Sequence, residues 1–171
     1  KGQEQESFDA LAEAIKNNNC AGFIFEPLVQ GAAGMVMYEP ESLDKLIQIC
    51  KENKVLTIAD EVMTGFGKTG KTFACDYLTE QPDMMCLSKA LTGGTIPMAI
   101  TTFTQDIFEA FYDEDINKAL FHGHTFTANP TGCAAALASL SLLQTQEMQD
   151  NIVRVNKRHL EFEKHIKSHS K

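Results

Sequence analysis

Two residues of this sequence have the types and the setting of a covalent cofactor site, Asp60 and Lys89. Asp60 ends the apolar run 57–59 and stands beside Glu61, ahead of a glycine-punctuated loop, GFGKTG at 65–70. Lys89 follows a second apolar run, Met84 to Leu87, and precedes a Thr-Gly-Gly turn. Both are positions at which a buried strand emerges from a sheet, and open α/β sheets bind ligands at the carboxyl ends of their strands. An anion and an amine side by side suit a group that needs one of each. Pyridoxal 5'-phosphate (PLP) is such a group: it takes a lysine through a Schiff base and an acidic partner for its pyridinium nitrogen. A lysine snorkelling from a strand end, and an aspartate capping its loop, fit the same residues without chemistry.

The elements that must position this pair follow from hydrophobic periodicity. Phe8, Leu11, Ala12 and Ile15 share one face, which predicts a helix over 7–18. Ala21 to Phe25 reads as a strand closed by Glu26-Pro27, and 30–34 as a small-residue loop. Pro40 opens a second helix, with Leu43, Leu46, Ile47 and Cys50 at helical spacing. Val55 to Ala59 is the next strand, so strand, helix and strand have the length of a parallel crossover. A short helix over 72–78, strands over 84–87 and 98–103, and a helix over 105–112 come next. Beyond a loop at 121–130, the segment from Pro130 to Leu143 is helical and apolar nearly all round, so burial on several sides is expected. A last helix from Met148 to about Ile166 gathers Ile152, Val155 and Phe162 into one seam, with His159 in it as a packed or edge residue. The alternation predicts an α/β fold, a mostly parallel sheet flanked by helices on both faces.

At 171 residues the chain suffices for one domain with a sizeable core. Its net charge of -8 argues against nucleic acid, since no basic excess is present to neutralise phosphates. Five scattered cysteines without a C-x-x-C pair speak against a disulfide framework or zinc site and suit a reducing cytoplasm. No apolar run approaches the roughly 18 residues of a spanning helix. His122 and His124 flank a glycine, but no acid or thiol stands at ligand spacing, so no metal is expected there.

Three separated motifs, ADEVMTGFGKTG, LSKALTGG and FHGHTFTANPTGCAAALASL, occur in the order found in class III PLP-dependent aminotransferases, and the whole chain resembles that family. The resemblance implies the large domain of the PLP-dependent transferase fold type I. It implies that residues 1–171 are its central part, without the N-terminal segment and the C-terminal small domain. Alone, such a piece is expected to be inactive. Within the family, EPLVQGAAGMVMYEP and KALTGGTIPMAITT most resemble the branch serving biotin synthesis. That branch takes S-adenosylmethionine as amino donor and 7-keto-8-aminopelargonate as acceptor. An ornithine, acetylornithine or 4-aminobutyrate type is the alternative.

By the same resemblance, Lys89 carries PLP and contacts substrate, and Asp60 faces the ring nitrogen. Val62 packs on the ring face. His124 and Thr125 supply phosphate contacts, and Gly123 lies near the substrate. Met63 stands where many members have a glutamine that contacts the ring hydroxyl, which removes that contact here. Glu26 belongs to an EP motif that, in some members, pairs with a downstream arginine. The resemblance further implies a homodimer whose two active sites are shared between subunits. Strand alternation turns Glu61 away from Asp60, to the other side.

Overall fold

The computed structural model describes residue 2 and residues 4–169. Helix α1 (Glu4–Asn17) leads into strand β1 (Gly22–Phe25), and a short hairpin, β2 (Val29–Gln30) with β3 (Val36–Met37), precedes helix α2 (Pro40–Glu52). Strands β4 (Leu56–Asp60), β5 (Met84–Leu87) and β6 (Ile100–Phe103) complete the main sheet. Helices α3 (Gln105–Phe111), α4 (Pro130–Leu143) and α5 (Gln146–His169) follow, and short 3-10 turns occupy Ala74–Tyr77, Lys89–Thr92 and Ile116–Lys118. No helix among the described residues is long and apolar enough to cross a membrane.

The main sheet has the order β1-β4-β5-β6. The pairs β1–β4 and β4–β5 are parallel, whereas β6 runs antiparallel to β5. The reason lies in residues 88–99, which hold only a four-residue 3-10 turn. A parallel return usually runs through a helix packed on the sheet, and these twelve residues form no α-helix, so the segment turns back. The parallel pairs bring the carboxyl ends of β1, β4 and β5 to one edge. Register at the opposite end is set by Asp83, whose Oδ2 accepts from Thr57 N–H and Thr57 Oγ1, both at 2.7 Å.

Phe25, Ala59, Leu43, Ile47, Cys75 and Leu78 form the core, with Phe23, Leu46 and Met85 packed against it. The helical spacing of Leu43, Ile47 and Cys50 puts all three on the buried side of α2. All five cysteines are unpaired thiols. Burial pushes the Cys50 thiol up to about 11 and the Cys75 thiol higher still, so both behave as small core hydrophobes.

Helices cover this face of the sheet, but the expectation of cover on both faces is met on one only. On the other face Ile24 is 61% exposed, and Leu56 and Phe103 are also exposed. Helix α4 likewise buries only Gly132 and Ala136, on the side that meets the Lys89–Thr92 turn. Its Leu137 is 67% exposed, so the all-round apolar pattern is not matched by all-round burial. Helix α5 packs through Ile152 on the GFGKTG loop, where a Cβ on Gly67 (φ +92) would lie 2.7 Å from the Ile152 side chain. Past that contact its seam is open, and His159 stands exposed beside Asn156, the edge position of the two expected for it.

Candidate active site

Lys89 opens the 3-10 turn that follows β5. Its φ is +47°, a left-handed conformation that a non-glycine residue rarely adopts and that costs about 1–3 kcal/mol. The surrounding turn is over-determined, which is what such strain requires. Leu91 and Thr92 are buried. Thr92 Oγ1 donates to Ile96 C=O at 2.7 Å, Thr95 Oγ1 to Thr92 C=O at 2.7 Å, and Ser88 Oγ to Met98 C=O at 2.7 Å. From α4, Ser139 Oγ donates to Ala90 C=O at 3.1 Å. Lys89 itself is exposed, a flexible amine on a fixed base.

Asp60 is the last residue of β4 and pairs in register with Cys86, three residues before Lys89. The two expected partners therefore emerge from adjacent parallel strands at the same edge. Asp60 is half-buried, and its Oδ1 accepts from Val62 N–H at 3.0 Å. With Oδ1 held, Oδ2 keeps its lone pairs for another donor. The loop-capping role is thus realised, and it leaves half of the carboxylate available. Glu61 does face the other way: it is fully buried and receives the hydroxyl of Thr64 and the N–H groups of Ala74 and Cys75.

The loop ahead of α4 carries Gly123, His124 and Thr125, all exposed. Asn129 caps the helix, its Oδ1 accepting from Gly132 N–H at 2.7 Å. His124 N–H donates to Thr127 Oγ1 at 2.9 Å, and His124 Nδ1 accepts from Phe126 N–H at 3.1 Å. An accepting Nδ1 is unprotonated, so a neutral His124 carries its proton on Nε2 as a free donor. An open groove brings this loop to the lysine turn, with His122, His124, Phe126 and Asn129 on one wall and Ser88, Met98 and Ala99 on the other. Thr125 is not part of that wall.

Three further residues have local duties. Glu26 Oε2 accepts from Gly31 N–H at 2.8 Å, which ties the end of β1 to the turn of the hairpin. Met63 fills the space over Gly31, where a Cβ would lie 2.6 Å from its sulfur. The stretch 65–72 also has the glycine-x4-glycine-lysine-threonine spacing of nucleotide-triphosphate loops. Its N–H groups are spent internally, Gly67 on Thr72 C=O and Gly70 on Gly67 C=O, and Lys71 Nζ donates to Asp76 C=O. A four-residue 3-10 turn follows where that use needs a helix. Among the described residues no three His, Cys, Asp or Glu cluster as metal ligands. Ser88, Thr92 and Ser139, which hold the lysine turn, carry no mark in the sequence that separates them from surface hydroxyls.

A protein-family model described as aminotransferase class-III matches residues 1–170. The adenosylmethionine-8-amino-7-oxononanoate aminotransferase of Synechococcus elongatus is 47% identical over 147 residues, covering 86% of this chain and 35% of that protein. The chain thus spans about a third of such relatives. The crystal structure of the enzyme of that name from Methanocaldococcus jannaschii superposes with a TM-score of 0.79 at 38% identity, over 88% of this chain and 35% of that one. Acetylornithine aminotransferase from Elizabethkingia anophelis gives 0.80 at 34% identity, over 94% and 38%. With an aspartate and a lysine at the ends of adjacent parallel strands, and with matches along its whole length, this chain belongs to the class III aminotransferase family.

Proposed function

We propose that the protein containing this chain is a PLP-dependent aminotransferase of biotin biosynthesis, moving an amino group from S-adenosylmethionine to 7-keto-8-aminopelargonate. The observation that carries the chemistry is Lys89, exposed and strained on a turn locked from beneath, one strand from Asp60. The donor set fits PLP, since an aspartate with one free oxygen suits a protonated ring nitrogen and a flexible amine suits an aldehyde. When bound, PLP supplies an electron sink for negative charge developing at the substrate carbon. Asp60 keeps a proton on the ring nitrogen by its charge. Val62, beside it, presents an apolar face to the ring. Lys89 Nζ would anchor the group and, when free, would carry a proton between the substrate carbon and a carbon of the cofactor. His124 Nε2–H and the Thr125 hydroxyl are donors for the phosphate, and Gly123 leaves room for substrate.

The choice of substrates is supported by relatives such as that of Synechococcus elongatus. The likeness to acetylornithine aminotransferase keeps an ornithine-type substrate as the second reading. Incubating the purified holoenzyme with each amino donor in turn separates the two. We place residues 1–171 in the middle of the PLP-binding domain, and a reducing cytoplasm suits the five thiols.

Asp60→Asn keeps the shape of the side chain but loses its charge. Turnover is expected to fall about a hundred- to a thousandfold with fold and cofactor linkage retained. Near-native turnover would mean that another group protonates the ring and that Asp60 only caps its loop.

The 171-residue chain on its own is expected to give no turnover. Its lysine edge is open to solvent, and relatives are about three times as long. Each charge-assisted contact missing from the phosphate costs about 1.5–3 kcal/mol, and every 1.4 kcal/mol is about tenfold in affinity. Conversion of 7-keto-8-aminopelargonate by the isolated chain would overturn this.

A further inference from the structure

Glu61 is a buried acid that the proposed chemistry does not use. It is 0% exposed, yet three donors converge on its carboxylate. Oε1 accepts from Cys75 N–H at 2.7 Å, and Oε2 from Thr64 Oγ1 at 2.6 Å and Ala74 N–H at 3.1 Å. After burial, the charge of this carboxylate is the next cause that raises the neighbouring Cys75 thiol. Three partners on its two oxygens satisfy the buried carboxyl and hold it in one place.

The backbone of the same residue joins the two strands of the site. Glu61 N–H donates to Cys86 C=O at 3.0 Å, beyond the last register pair Asp60–Cys86, and Glu61 C=O accepts from Gly65 N–H at 2.9 Å. One residue therefore ties together the end of β4, the end of β5 three residues before Lys89, the GFGKTG loop and the Ala74–Tyr77 turn. From this geometry we infer that Glu61 is a positioning residue, a buried anchor that holds the Asp60 carboxylate on the cofactor's ring nitrogen.

Glu61→Gln exposes the role. An amide has one acceptor oxygen and one NH2 group, so in either orientation its NH2 faces the N–H of Ala74 or of Cys75. The anchor must shift, and the corner bearing Asp60 shifts with it. Thr64→Val is the milder companion, removing one donor while keeping shape and the other bonds.

The inference rests on the reading of Asp60, so Asp60→Asn is measured beside both variants. Two readouts of the holoenzyme are taken: the dissociation constant of PLP, and the pH midpoint of the bound cofactor's visible absorbance. Glu61→Gln is expected to weaken PLP binding about 10- to 100-fold. It should also move the midpoint in the direction that Asp60→Asn moves it, and Thr64→Val should do both to a smaller degree. If Glu61→Gln, or Thr64→Val where the first does not fold, lowers thermal stability alone and leaves both readouts native, Glu61 is a stability residue and the inference is wrong. If Asp60→Asn itself changes neither readout, the cofactor reading of Asp60 fails and this one falls with it. An effect of Asp60→Asn without one from Glu61 or Thr64 overturns only the positioning role.

Discussion

Replacing Lys89 with alanine is expected to leave a folded protein with essentially no turnover and no covalently held cofactor. The side chain is exposed and supports no packing, so its loss costs the fold little. The φ of +47° is as tolerable for alanine as for lysine, and the bonds of Ser88, Thr92 and Ser139 that fix the turn do not involve the amine. Chemistry loses both the anchor and the proton carrier. Proton transfer alone contributes about a hundred- to ten-thousandfold, and loss of the covalent linkage adds to it. Two other lysines are already engaged. Lys71 Nζ is bound to Asp76 C=O and sits 4.4 Å from the centre of the Tyr77 ring, and Lys51 on α2 pairs with Glu80 at 2.9 Å. Borohydride trapping followed by peptide mapping checks the assignment directly. Label on the Lys89 peptide in the native protein, and none in the variant, is the expected pattern. Label at another lysine would show that the cofactor is anchored elsewhere.

Why Asp60 and Lys89 were legible in the sequence, while their fixing was not, has a physical basis. A buried strand of a parallel sheet is apolar until it leaves the sheet, so a charge at the end of an apolar run marks an edge. Both runs, 57–59 and 84–87, have that form, and they fall within β4 and β5. Strand direction has no such mark: the apolar-polar-polar-apolar pattern of Ile100 to Phe103 is the same read either way, and β6 proved antiparallel. The strain at Lys89 was also hidden. A left-handed residue is announced by glycine or asparagine, whereas here distant hydroxyls enforce it on a lysine. For Glu61, period-two alternation indicated which way the side chain turns, but its partners at 64, 74 and 75 depend on how the loop returns. Glu26 shows the converse, since a carboxylate with an implied distant partner has taken a local one in Gly31. Helix α4 shows a limit of another kind. Its composition demands burial, yet composition does not say what does the burying, and its Leu137 and Leu142 face outward.

That outward apolar surface bears on the second large effect, recovery of activity by mixing two dead variants. Phe121, 77% exposed, and Phe126, Leu137 and Leu142 lie on the loop and helix that carry Thr125, too much apolar surface to leave in water. A second copy of the protein is the proposed cover, with the Thr125 hydroxyl serving the phosphate held over the partner's lysine. The within-chain groove agrees in one respect: His124 lines it with Ser88 and Met98 of its own chain, and Thr125 does not. Lys89→Ala holoenzyme is mixed with Thr125→Ala holoenzyme, and subunit exchange is verified by mass. In a heterodimer with shared sites, one site then carries both lesions and the other carries neither. Random exchange makes half the dimers hetero, so about one site in four should be native. Sites built from single chains would each keep one lesion. Activity would then stay at the level of the separate variants, and the shared site would have to be abandoned.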